Sequence, residues 1–133
     1  MSKFRIILAD DHTLFRAGIK RILQDDPNLS VIGEAGDGLE LLDLLEQSTP
    51  DLIILDISMP RLQGLEAIEL IKGLYPDVKI LILTMHKSRD YVYRAMESGA
   101  DGYVIKEDAN DVLRSAIETL RRDETFISPL IFG

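Results

Sequence analysis

Apolar residues fall into five short, nearly unbroken runs: Phe4 to Ala9, Val31 to Ala35, Leu52 to Leu55, Val78 to Leu83 and Gly102 to Ile105. Most lack polar alternation, which is how strands covered on both faces read. Between the runs, apolar residues recur at helical spacing. Phe15, Ile19, Ile22 and Leu23 share one face, as do Leu65, Ile68, Ile71 and Leu74. Ala109, Val112, Leu113, Ala116, Ile117 and Leu120 make the longest stripe. The punctuation agrees. Asp37 with Glu40 reads as a capping box opening the second helix. Ser88 and Asp108 stand where N-caps of the fourth and fifth helices belong, and Gly99 where the fourth should stop. Pro50 and Pro76 shortly precede strands three and four.

The alternation of strand and helix predicts an α/β fold, a five-stranded parallel sheet with helices on both faces. The glycines of "GEAGDG", Gly33, Gly36 and Gly38, follow the second strand and do not fit a dinucleotide-binding spacing, so they read as turn residues. The leucines at 39, 41, 42, 44 and 45 read as core and partner-facing helix surface. Residues 121 to 133, "RRDETFISPLIFG", fit the alternation less well, and read either as the frayed end of the fifth helix or as the start of a linker.

A parallel sheet gathers all strand carboxyl ends on one edge, where ligands bind. Asp10 and Asp11 end the first strand, Asp56 the third, Thr84 the fourth and Lys106 the fifth. Clustered carboxylates repel unless a cation relieves them. Oxygen ligands without an EF-hand loop point to Mg2+ rather than calcium. With His12 and His86 as the only histidines and no cysteine, zinc is disfavoured. His12 reads as a surface residue near a helix start, and His86 as a loop residue near the site. Asp56 is the nucleophile candidate for phosphoryl capture as an aspartyl phosphate, with Thr84 and Lys106 placed to bind phosphoryl oxygens. Read singly, these residues are a capping acid, a β-branched strand residue and a solvated lysine; the constellation favours chemistry.

Composition narrows the setting. The 133 residues suit one domain, and 46% hydrophobic content is enough for a core. A net charge of −8 disfavours direct binding of nucleic acid or anionic lipid. The opening apolar run is too short for a signal peptide or a membrane span, and the absence of cysteine suits a cytoplasmic protein without a membrane partner.

Four stretches taken in order, "ADDHTLFRAGI", "DISMPRLQGLEAI", "ILILTMH" and "MESGADGYVIKEDA", resemble the response-regulator receiver domains of two-component signalling, and more narrowly the NarL/LuxR-type regulators. The resemblance implies a flavodoxin-like (βα)5 doubly wound sheet with strand order 2-1-3-4-5. It implies Asp56 as the phosphoacceptor of a sensor histidine kinase. Asp11, Asp56 and the backbone carbonyl of Ser58 would ligate Mg2+, with Asp10 acting mainly through a water. Thr84 and Lys106 would hold the phosphoryl group, and Tyr103 would be the switch aromatic, turning inward as Thr84 moves. Ser58 stands where dehalogenase-like phosphatases need a second acid, so the chain is not expected to be an enzyme beyond slow autodephosphorylation.

Two departures stand out. Met85 follows Thr84, where many receivers carry a small residue, and Glu107 follows Lys106, where many carry proline; a trans bond is expected there. "ETFISP" resembles the segment after a NarL/LuxR-type receiver. Residues 1–122 are thus expected to be the receiver, and 123–133 the start of a linker toward a helix-turn-helix DNA-binding domain outside this sequence. Transcription regulation, DNA contact through that domain alone and homodimerisation on phosphorylation are further expectations. The alternative is a stand-alone receiver, or a pseudo-receiver acting through protein–protein contacts.

Overall fold

A computed structural model describes residues 3–62 and 64–131. Gln63 of the middle motif, and Phe132 and Gly133 at the end of the expected linker, lie outside the described residues. In chain order the elements are β1 (Phe4–Ala9), α1 (Thr13–Gln24), β2 (Leu29–Ala35), α2 (Gly38–Gln47), β3 (Leu52–Leu55), α3 (Leu65–Leu74), β4 (Lys79–Thr84), α4 (Arg89–Glu97), β5 (Gly102–Ile105), α5 (Ala109–Arg121) and β6 (Phe126–Ile127). Short 3-10 turns occupy Lys106–Asp108 and Pro129–Ile131.

The strands form one parallel sheet in the order β2-β1-β3-β4-β5-β6. The first five follow the expected order; the sixth corrects the expected count. Phe126 and Ile127 of the tail pair with Gly102 and Tyr103, covering an edge that β5 would otherwise present. Strand four begins one residue later than its apolar run, and strand two begins two residues earlier.

Alternation along β1 divides the core into two layers. Ile6 and Leu8 face α1 and α5, joining Ile19, Leu23, Leu113 and Ile117. Ile7 and Ala9 face α2, α3 and α4, joining Leu41, Leu45, Ile68 and Val92. Both faces of the sheet are therefore covered, which is why the strands read as continuous apolar runs.

Asp37 caps α2 by accepting from Glu40 N–H at 2.9 Å, and Glu40 Oε1 accepts from Gly36 N–H rather than from the cap's own N–H. Ser88 caps α4, and Gly99 ends it with φ +117°. Asp108, expected to cap α5, does not do so with its side chain, which accepts from the Ser128 hydroxyl instead. Gly33 is not a turn residue either. It lies within β2, and a Cβ there would sit 3.2 Å from Leu44. Gly38 matters more. Its N–H donates to Pro60 O at 3.0 Å, and an added Cβ would stand 2.1 Å from Arg61 O. That close approach seats the loop following Asp56.

Two substitutions separate helix propensity from this contact. Gly18→Ala, in open space on α1, should stabilise by about 1 kcal/mol. Gly38→Ala should destabilise by about 2 kcal/mol, because backbone must shift. Urea unfolding reads both; equal effects would contradict the packing described.

Candidate functional site

The sheet ladder itself carries the acids inward. One residue beyond β1, Asp10 N–H donates to Ala35 O; one residue beyond β3, Asp56 N–H donates to Ala9 O, both at 2.9 Å. Both side chains end 2% exposed. Each carboxylate then divides its oxygens in the same way. Asp10 Oδ1 accepts from His12 N–H at 2.8 Å, and Asp56 Oδ1 accepts from Ser58 N–H at 2.9 Å, each a local turn two residues long. The other oxygen of each faces Lys106, whose Nζ lies 2.9 Å from Asp10 Oδ2 and 3.0 Å from Asp56 Oδ2. The ammonium also meets His12 Nδ1 at 2.7 Å and lies over the Phe15 ring, 4.7 Å from its centroid. Pairing of Thr84 with Ile105 sets Lys106 one step beyond the end of β4.

Asp11 points to the outer side of the cluster, its side chain 33% exposed. Ligand atoms of Asp10, Asp11, His12 and Asp56 all lie within 4.8 Å of one another. Three carboxylates against one ammonium leave two negative charges uncompensated. Asp10 Oδ2 is buried and has the Lys106 charge beside it, but no hydrogen-bond donor is aligned on it. A hard divalent cation fits the three acids of this set: they offer carboxylate oxygens, the charge is in deficit, and one buried oxygen lacks a donor.

Thr84 is fully buried, and its Oγ1 accepts from His86 N–H at 3.3 Å. Tyr103 is also fully buried and donates from its hydroxyl to His86 O at 2.9 Å. Burial pushes the Tyr103 phenol up from its ordinary value, with Tyr91 adding to the effect. Tyr103 is thus already turned inward, where the sequence led us to expect inward rotation only on phosphorylation. The His86 ring stacks on Tyr91 with centroids 5.0 Å apart, and its Nε2 lies 3.4 Å from Ser58 Oγ. The Tyr91 phenol is pushed up chiefly by burial; Arg94 opposes this and the Asp56 charge adds to it. Met85 is exposed. The bond before Glu107 is trans, and Glu107 pairs with Lys87 across the β4 and β5 loops.

The structure therefore brings Asp10, Asp11, Asp56 and Lys106 together as the strand ends predicted. It records no hydrogen bond from Thr84 to an acid among the described residues. His12 is at the helix start as expected, yet its contact with Lys106 was not foreseen. Its position directly after the acid pair was the available signal. His86 and Tyr91 were not legible as a stacked pair, because their contact depends on how the β4–α4 loop turns.

Comparison with known proteins gives a consistent result. The family description "Response regulator receiver domain" matches residues 6–118. The chain is 38% identical over 130 residues to "Transcriptional regulatory protein DegU" of Brevibacillus brevis, covering 98% of this chain and 55% of that protein. It is 39% identical over 126 residues to "Oxygen regulatory protein NreC" of Staphylococcus carnosus, covering 94% of this chain and 58% of that protein. The chain thus spans little more than half the length of these curated relatives. Among solved structures, a two-component response regulator of the LuxR family from Aurantimonas sp. superposes with a TM-score of 0.91 at 36% identity, covering 98% of this chain and 93% of that one. The isolated receiver domain of RcsB from Salmonella enterica, determined with the phosphomimetic BeF3-, gives a TM-score of 0.91 at 27% identity, covering 98% and 96%.

Removing the shared ammonium should expose the cost of the acid cluster. Lys106→Met leaves Asp10 and Asp56 buried and unpaired, and should destabilise by about 3 kcal/mol. Adding Asp10→Asn should recover part of that loss. Chemical denaturation with EDTA present decides; a loss below about 1 kcal/mol would show that the ammonium is not the cluster's counterion.

Proposed function

The chain belongs to the response regulator receiver family, and on that premise we propose that Asp56 accepts a phosphoryl group from a sensor histidine kinase. The observation that supports this reading is the meeting of buried Asp56 with two further acids and one ammonium at the carboxyl edge of the sheet. Its relatives place the chain with the NarL/LuxR-type regulators.

The chemistry follows from the residues. Ser58 N–H holds Oδ1 of Asp56 and the Lys106 ammonium holds Oδ2, so the carboxylate is fixed at both oxygens. A carboxylate oxygen of Asp56 attacks phosphorus of the kinase phosphohistidine. A P–O bond forms, the P–N bond breaks, and its electron pair returns to the imidazole, giving an aspartyl phosphate. Asp11, Asp56 and the Ser58 carbonyl, with Asp10 mainly through a water, would hold Mg2+, which would supply positive charge beside the phosphoryl oxygens. Lys106 donates to one phosphoryl oxygen and Thr84 to another. The burial of Asp56 limits water attack, so hydrolysis is slow self-dephosphorylation rather than turnover.

Transmission runs through the same loop. Thr84 Oγ1 accepts from His86 N–H, and His86 O accepts from Tyr103, so drawing Thr84 toward a phosphoryl group pulls on Tyr103. With Tyr103 already inward, phosphorylation acts by holding one population rather than by creating it. Output is transcription regulation through a helix-turn-helix domain outside these residues, with homodimerisation on phosphorylation in the cytoplasm. For RcsB, dimers bound to DNA have been solved. No helix among the described residues is long and apolar enough to cross a membrane.

Acetyl phosphate with Mg2+ should add one phosphoryl group to the chain by intact mass, and Asp56→Asn should abolish the gain. A stoichiometric adduct on Asp56→Asn would remove the assignment. The 133-residue chain, at net charge −8, should show no sequence-specific DNA binding by fluorescence anisotropy. Salt-sensitive, sequence-specific binding would overturn the assignment of DNA contact to another domain.

A further inference from the structure

The tail is joined to the site by a short buried path. Ser128 is fully buried, two residues after Phe126 enters the sheet. Its N–H donates to Tyr103 O at 2.8 Å, extending the ladder beside β5. Its hydroxyl donates to Asp108 Oδ2 at 2.5 Å, and Asp108 is itself buried. Beyond Ser128, Ile131 N–H donates back to Ser128 O at 3.1 Å, Ile131 packs in the same core layer as Tyr103 and Val92, and Arg89 Nε reaches Ile131 O at 3.3 Å.

Asp108 occupies a position where an acid ordinarily caps the following helix, and it makes no such bond. Its carboxylate turns to Ser128 instead. A buried carboxylate needs a donor, and this hydroxyl supplies it. Asp108 is also the last residue of the 3-10 turn that begins at Lys106, and Ala109 N–H closes that turn onto Lys106 O. One end of a single turn therefore holds the ammonium between Asp10 and Asp56, and the other end is anchored by the tail.

We infer that Ser128 is a positioning residue for phosphoryl capture: through Asp108 it fixes the turn that carries Lys106, so docking of the tail and occupancy of the site at Asp56 form one coupled equilibrium. The inference rests on Asp56 being the phosphoacceptor. Coupling of this kind is reciprocal. A filled site that holds Lys106 favours the docked tail, and a released tail weakens the site.

The test uses the full 133-residue chain and two probes, Mg2+ alone and beryllofluoride with Mg2+, each titrated by calorimetry. Ser128→Ala and Asp108→Ala should each weaken beryllofluoride binding about fivefold, and the double variant no further. Affinity for Mg2+ alone should stay within about twofold, because its acid ligands do not hang on the turn. Asp108→Asn keeps an acceptor for the Ser128 hydroxyl and should retain most of the wild-type affinity. Parallel losses for both probes would mark a merely structural role and overturn the inference, as would unchanged beryllofluoride binding in Ser128→Ala. Should Ser128→Ala fail to fold, the wild-type amide spectrum decides: beryllofluoride must shift residues 126–131, and silence there beside shifts at Asp10, Asp56 and Lys106 overturns it. A wild-type chain that takes up no beryllofluoride would overturn the phosphoacceptor reading together with this inference.

Discussion

One ammonium shared between two buried carboxylates organises this molecule. Asp10 and Asp56 arrive from different strands, and Lys106 reaches both from a third. The sheet sets this up without effort, because parallel strands end on one edge and the ladder runs one residue past β1 and β3 before the chain turns. What the sheet cannot do is neutralise the result. Lys106 covers part of the charge, Asp11 adds to it from the rim, and the buried Asp10 Oδ2 is left without an aligned donor. A site short of positive charge is one that a divalent cation and a phosphoryl group together can complete.

That reading assigns each neighbouring element a part. The close approach of Gly38 to Pro60 and Arg61 seats the loop behind Asp56. The β4–α4 loop carries His86, whose two backbone groups tie Thr84 to Tyr103. The turn from Lys106 to Asp108 ties the same site to Ser128. Two short routes thus run beside the site, one from Thr84 through His86 to Tyr103 and one from Lys106 to the tail, and both meet at β5, where Tyr103 O accepts from Ser128 N–H. A site connected in this way is suited to report its occupancy rather than to turn substrate over.

Much of this was legible in the sequence, and the limits have physical causes. Strands covered on both faces leave unbroken apolar runs, so five of them could be read directly and their acid-bearing ends followed from topology. β6 could not: two residues in a proline-containing tail are too few to show a period. Local spacing allows Asp108 as a cap, but a buried hydroxyl twenty residues later competes for its carboxylate and wins. Gly33 reads as a turn because glycine commonly marks one; in the structure the Leu44 side chain fills the space above a strand. The inward Tyr103 and the His12 contact with Lys106 depend on side-chain packing across strands, which no linear pattern records.

The most direct test of the charge deficit is the stability of the wild-type chain against Mg2+ concentration at fixed ionic strength. If the acid cluster is a divalent-cation site in the folded chain alone, the unfolding free energy should rise by about 1.4 kcal/mol for each tenfold increase in Mg2+ above its dissociation constant. Sodium chloride at matched ionic strength should give no such slope. A flat response to Mg2+ would show that Lys106 already satisfies the acids, and would contradict the account.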